Sequence, residues 1–286
     1  LTKVYPDGTH AVTELDLATY ALRPFSVGGG PIRGFAYDRD RDRLFMVGLA
    51  TAAPTPLRWM DLAGCTPGLA VAAGGCPIGS AAFGTPALGL ELRGIALANP
   101  ATPGIPRAPG VPARAYATGR LYDTASAATS GTRTTDYGGL LIVLDLVEDA
   151  LGGVTPRVVW TEPIGRGAQE VRVLPRCTDP VCPASWAAGR RDVVAALSVD
   201  AGELTLFDDE THSVAVFRTD DRTDAPFLGH SPYGLAVDPD VAGTRARVWV
   251  GSYGDGFVTP IEVPLDAPDR AAFEGGSQRR ISGATP

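Results

Sequence analysis

Few residues in this chain are equipped for chemistry. The histidines number three, His10, His212 and His230. His10 and His212 fall in apparent turns and read as solvated surface. His230 precedes Ser231-Pro232-Tyr233, where it could serve as a base or metal ligand; a loop histidine held by hydrogen bonds is the competing reading. Asp38, Asp40 and Asp42 alternate as calcium ligands do, but the run lacks the EF-hand glycine and has Leu49 at its twelfth position. Interleaved with Arg39, Arg41 and Arg43, it reads more simply as a solvated hairpin with internal charge pairing.

The cysteines form two local pairs, Cys65/Cys76 and Cys177/Cys182, each bracketing a Pro- or Gly-containing segment. Neither pair is Cys-x-x-Cys, and no histidine is near enough in sequence for a zinc knuckle. Two short-loop disulfides are the preferred reading, with buried free thiols as the alternative. Disulfides would place the chain in an oxidising compartment: periplasm, cell surface or medium. No Gly-x-Ser-x-Gly elbow, Walker loop or dinucleotide glycine pattern occurs, and three scattered histidines do not make a copper or haem site.

What positions these residues is a repeat. Segments ending Glu14-Leu15-Asp16, Trp59-Met60-Asp61, Val143-Leu144-Asp145, Leu206-Phe207-Asp208 and Pro260-Ile261-Glu262 alternate apolar residues before an acidic one, at roughly 61-residue intervals. Period-two alternation over such short runs signals strands. The acidic residues Asp16, Asp61, Asp145 and Asp208 stand before turns, where a carboxylate can accept backbone N–H bonds. Upstream of four of them lies a two-strand unit with an Asp- or Pro-bearing turn, as in 31–48 and 232–251. Each unit then reads as four antiparallel strands, and radial repetition of such units builds a β-propeller.

The stretch Pro232-Tyr-Gly-Leu-Ala-Val-Asp-Pro-Asp240, the strand Val248-Trp-Val-Gly-Ser252 and the repeated acidic strands resemble YVTN-type propeller repeats. The expected fold is therefore all-β: a β-propeller of about five visible four-stranded blades, over 1–30, 31–88, 89–167, 168–229 and 230–286. The first blade is incomplete. Leu1 to Tyr5 would supply its second strand, and its innermost strand would precede Leu1 or come from the tail, 274–286. Leu1 itself reads as a processed or truncated end, and further chain would allow six or seven blades.

Aligning the four innermost strands places Arg33, Arg93, Glu170 or its neighbour Gln169, and Tyr233 at equivalent positions, converging with His230 on the channel mouth. Two arginines there could clamp a carboxylate or phosphate. Alternatively they pair with Glu170 and neutralise the channel. Propeller lactonases and lyases, which the resemblance brings in, hold divalent metals in the channel. Glu91, Asn99, Glu170 and His230 could supply donors, although they form no convincing carboxylate ring. No cofactor is assigned, and a channel metal is left as the open alternative.

Composition narrows the partners. Lys and Arg total 25 against 32 acidic residues, a formal charge of −7, and no basic run exceeds two residues. Nucleic acid and anionic membrane surfaces are disfavoured, and no apolar run is long enough to span a bilayer. The 35 Gly and 25 Pro argue against a helical bundle. Three long, charge-poor segments, 63–88, 99–113 and 123–138, read as ordered loops on one face, the usual place for recognition. The leading expectation is an exported binding or scaffold module for a protein or surface polymer. A metal-dependent propeller hydrolase or lyase, and a structural subunit of an envelope assembly whose first blade other chain completes, are the rivals.

Overall fold

The computed structural model describes residues 2–4, 10–27, 32–48, 56–65, 76, 78–82, 89–98, 110–122, 136–174, 192–218, 228, 231–239, 244–254, 256–273 and 279–280. Among them are five antiparallel sheets and no α-helix. The first sheet has three strands, β1 (Thr2–Val4), β2 (His10–Leu15) and β3 (Leu22–Val27). The second is β4 (Ile32–Asp38), β5 (Arg43–Gly48), β6 (Pro56–Asp61) and β7 (Ile78–Ala82). The third is β8 (Gly89–Leu97), β9 (Ala113–Tyr122), β10 (Asp136–Glu148) and β11 (Val154–Ile164). The fourth is β12 (Ala168–Leu174), β13 (Val193–Ser198), β14 (Glu203–Asp208) and β15 (Val214–Arg218). The fifth is β16 (Pro232–Pro239), β17 (Arg245–Ser252) and β18 (Phe257–Pro264), edged by β19 (Ala272–Phe273) and β20 (Arg279–Arg280).

Consecutive sheets stack face to face, and the innermost strands β4, β8, β12 and β16 touch in that order. Four-stranded meanders arranged so, innermost strand against innermost strand, make the chain a β-propeller. Because each middle sheet is covered on both faces, alternation disappears in its central strands. Every residue of β5, β13 and β14 is buried. In β13, Val193, Ala195 and Leu197 pack toward the fifth sheet, while Val194 and Ala196 pack toward the third.

The insertion over 63–88 is not wholly loop. Ile78–Ala82 is β7, and its small residues lie against β6, since Gly79 leaves no room for even a Cβ beside Trp59. The Cys65–Cys76 disulfide closes the segment before it. Cys177 and Cys182 lie outside the described residues, as do 99–109 and 123–135.

Turns repeat as well as strands. Asp16, Asp38 and Asp208 each accept a backbone N–H two residues on through Oδ1, from Ala18, Asp40 and Glu210. In each case the fifth residue, Tyr20, Asp42 or His212, adopts a positive φ of 50–58°. The side-chain cap is what holds a non-glycine residue in that disfavoured region. Asp61 and Asp145 depart from the expected capping role. Arg43 takes Asp61, while Arg114 and Arg157 take Asp145.

The Asp/Arg run of 38–43 also departs from expectation. Arg43 is 5% exposed, and it donates through Nη1 to Glu148 and through Nη2 to the Gly152 carbonyl in the third sheet. Arg41 Nε donates to the second Glu148 oxygen at 3.0 Å. The turn is an inter-sheet tie rather than a solvated hairpin. His212 similarly stacks on Trp160 of β11 with ring centroids 4.0 Å apart, so this exposed histidine bridges the third and fourth sheets.

A buried tie joins those same sheets. Tyr116 Oη donates to Asp209 Oδ2 at 3.0 Å, and Arg114 Nε lies 3.4 Å from the same oxygen. Burial, then the charges of Asp192 and Asp209, push the Tyr116 phenol well above its usual pKa. Unfolded, the phenol ionises near pH 10. Above that pH the unfolded state binds fewer protons than the native one, so the stability contributed by a neutral Tyr116 is full below pH 10 and declines as pH rises further. Tyr116→Phe is expected to lower stability by about 1–2 kcal/mol at pH 7 and to flatten the alkaline decline, measured by urea unfolding at neutral pH and from about pH 10 upward.

Candidate functional site

The innermost strands share one irregularity. The antiparallel register slips by one residue between Ile32 and Gly34, Leu92 and Gly94, Ala168 and Glu170, and Pro232 and Gly234. The extra residues are Arg33, Arg93, Gln169 and Tyr233. A β-bulge at a sheet edge re-aims one side chain and sharpens the local twist. The sequence alignment of the mouth thus has a structural counterpart, with Gln169 rather than Glu170 at the shared position. Glu170 occupies the next position, held by glycine in the other three strands.

Those glycines allow close approach. A Cβ on Gly34 would lie 2.7 Å from the Arg93 carbonyl oxygen, and one on Gly94 would lie 2.8 Å from the Gln169 carbonyl oxygen. Between the fourth and fifth sheets Glu170 makes the contact itself, its Oε2 accepting the Leu235 N–H at 2.9 Å. Its Oε1 is 3.4 Å from Arg172 Nη2.

The charges at these positions pair differently from either expectation. Arg93 Nη2 lies 2.9 Å from Glu91 on its own strand, rather than against Glu170. Arg33 and Tyr233 are exposed, Tyr233 by 58%. His230 lies outside the described residues, as does Asn99. Among the described residues no cluster of His, Cys, Asp or Glu has the arrangement to hold a metal ion. One residue beside these bulges escaped sequence reasoning. Arg120 of β9 donates to the Ala168 and Gly167 carbonyls and to Gln169 Oε1, at 3.1, 3.3 and 3.2 Å. It fixes the entry of β12, and no local pattern around it signals that role.

A second feature lies between the first and second sheets. Val12, Phe25, Phe35, Tyr37, Leu44 and Cys65 line a cleft of about 410 Å³, with Glu14 and Asp42 among its polar groups. Tyr37 Oη donates to Asp42 Oδ1 at 2.9 Å. That bond, then partial desolvation, raises the phenol pKa above its usual value. Phe35 and Tyr37 are 46% and 49% exposed. In register they correspond to Ile95 and Leu97, Val171 and Val173, and Leu235 and Val237. Of these, Ile95, Val171 and Leu235 are at most 5% exposed. They are covered by the innermost strand of the preceding sheet, and the first sheet has no such strand among the described residues.

No protein-family model matches the chain, and no curated protein does. Among solved structures it is similar to the Myceliophteria thermophila Cps50 (Swd1) β-propeller domain at 12% identity, covering 98% of this chain and 68% of that one, with a TM-score of 0.47. It is similar also to a Pseudomonas aeruginosa periplasmic gluconolactonase at 13% identity, covering 100% and 84%, with a TM-score of 0.41. The Dos1 propeller shows 10% identity over 98% of this chain and 73% of that chain, with a TM-score of 0.39.

The glycine positions differ in what they tolerate. A Cβ at Gly234 meets nothing within 4 Å, because no described strand covers that face. Gly34→Ala is expected to cost about 1–3 kcal/mol, and Gly234→Ala to stay within about 0.5 kcal/mol of the parent. Parallel urea melts of the two variants compare them directly.

Proposed function

We propose that this chain is an exported, non-enzymatic β-propeller of YVTN-repeat type that binds a protein or surface polymer and acts as a scaffold module. The bared aromatic face of β4 carries the proposal. Large side chains left half exposed at positions buried or partly buried in the other described innermost strands, over a cleft of about 410 Å³, support a recognition surface. The Cys65–Cys76 disulfide supports an oxidising compartment. No described helix is long and apolar enough to cross a membrane.

The rival reading, a metal-dependent hydrolase or lyase at the channel mouth, needs Glu170 and His230 as ligands or acid–base groups. Glu170 has one carboxylate oxygen bonded to the Leu235 amide and the other beside Arg172, which supports a structural role. Two experiments test the proposal. Incubation with γ- and δ-lactones and Mg²⁺, Ca²⁺, Mn²⁺ or Zn²⁺ is expected to give no hydrolysis above the metal-only rate. Metal-dependent turnover that Glu170→Gln or His230→Ala abolishes in a folded protein refutes the non-enzymatic reading. Peptide mapping of the secreted, non-reduced protein is expected to recover a Cys65–Cys76 cross-linked fragment, and free thiols at both positions would remove the support for export.

A further inference from the structure

The cleft between the first and second sheets is built from two kinds of group. One is apolar: Val12, Phe25 and Leu44 are buried and form its floor, while Phe35 and Tyr37 stand half exposed at its wall. These two rings leave β4 two residues apart and so on one face. The other kind is anionic. The charged residues on the lining, Glu14 and Asp42, are both acidic, and no lysine, arginine or histidine lines the cleft among the described residues. Val12 packs in the cluster that joins these two sheets, and Glu14, two residues further along β2, stands on the same side of that strand.

From this lining we infer that the cleft is a site for a guanidinium group, the side chain of an arginine carried by a partner protein. The inference deepens the binding reading above and rests on it. Aromatic rings attract a cation placed over their faces, and carboxylates accept its N–H bonds strongly. Tyr37 and Asp42 combine the two. Tyr37 Oη donates to Asp42 Oδ1 at 2.9 Å, and Asp42 Oδ2 bonds to nothing among the described residues. The pair is set before a ligand arrives, because Asp42 holds a φ of 50° in the turn that Asp38 caps. Little ordering is then left for binding to supply.

Charge selects among ligands. The Asp42 bond, then partial desolvation and the Asp42 charge, raise the Tyr37 phenol pKa; Arg39 opposes the rise and Glu14 adds to it. The Asp42 charge outweighs that of Arg39 there, so the field at the ring repels an anion and attracts a cation. A guanidinium suits this cleft better than an ammonium. It is planar, lies flat on a ring, and is more weakly hydrated, so it gives up less on entering a half-buried site. A volume of about 410 Å³ falls in the range of small-ligand pockets and admits a side chain rather than a whole element. Because half of each ring faces outward, the stem of the bound side chain can leave toward solvent and stay joined to a larger body.

The probe is the blocked tripeptide acetyl-Gly-Arg-Gly-amide, titrated into the 286-residue protein and followed by NMR saturation transfer to its arginine methylene protons. Saturable binding in the millimolar range is expected. Replacing the peptide's arginine by citrulline, a neutral group of the same shape, is expected to weaken it by about fivefold or more, as are Asp42→Asn and Phe35→Ser in the protein. Asparagine tolerates the left-handed backbone, so Asp42→Asn keeps the turn, and an unchanged melting temperature checks that it does. Absence of saturable transfer, equal binding of the citrulline peptide, or undiminished binding by the Asp42→Asn protein overturns the inference. So does a dimer that Asp42→Asn disperses, since it assigns the cleft to a second copy. Saturable binding of maltohexaose in place of the arginine peptide also overturns it, and leaves the binding reading standing with a polymer as occupant. If Phe35→Ser fails to fold, the citrulline peptide decides, as it leaves the protein untouched. None of these outcomes bears on the lactone assay, so the cation site and the non-enzymatic reading fail separately.

Discussion

The closeness of neighbouring innermost strands is the constraint on which this structure depends. Near the axis of a radial stack the sheets converge, so a side chain that fits between outer strands does not fit between inner ones. At Gly34 and Gly94 the next backbone begins where a Cβ would be. The space given up there is recovered outward, where Phe45, Leu57 and Trp59 meet Leu92, Ile142 and Leu144 in one buried cluster. Small residues inside and large residues outside are one wedge-shaped packing solution, and the bulge before each glycine supplies the added twist that sheets in such a stack require. The fourth strand solves the same problem differently. Glu170 stands where the other three strands have glycine and accepts the amide of Leu235 on the next strand, so this ionisable group is engaged in strand-to-strand contact.

The same constraint explains why the ends of the arc differ from its middle. Where a neighbour is present, both faces of a sheet are buried and polar groups there include paired ties between sheets, as with Arg43, Glu148 and Gly152 or Tyr116 and Asp209. Where no neighbour is described, the positions that would meet one stand open: Gly234 and Ala236 on the fifth sheet, Phe35 and Tyr37 on the second. Covering the exposed half of an aromatic ring is worth about 1 kcal/mol. Two such rings together are a modest driving force for covering that face.

The sequence showed the architecture more clearly than the site. Alternation of residue types before Asp16, Asp61, Asp145 and Asp208 revealed the strands, even though every residue of β14 is buried in the structure. Pairing was hidden. Whether Asp61 caps a turn or meets Arg43 depends on which strands lie side by side, and nothing local in the Asp38–Arg43 run indicates that two of its arginines reach Glu148, more than a hundred residues on. The strand at Ile78–Ala82 was hidden for another reason. Gly-Ser-Ala-Ala reads as loop by propensity, and becomes strand only because Trp59 demands a neighbour without bulk. Arg120 escaped because its partners are carbonyls, which every residue has.

The charged residues also bear on what kind of surface this is. Arg43, Arg93, Arg114 and Arg120 are all largely buried and bonded, two of them across a sheet boundary to carboxylates and one to the carbonyls of a strand entry. Arginine suits this because a planar guanidinium can serve two or three acceptors on different elements at once. Cations tied between sheets cannot swing toward a solute in the channel, whereas Phe35 and Tyr37 need no rearrangement to be met. Tyr37 is further fixed by Asp42, itself held in a positive-φ turn capped by Asp38. The rigid ring at the rim of the cleft is thus the end product of a backbone device repeated at Asp16 and Asp208. The exposed apolar surface of β4 is supported by a stiff frame, in whose building Asp38, Asp42 and Arg43 are engaged.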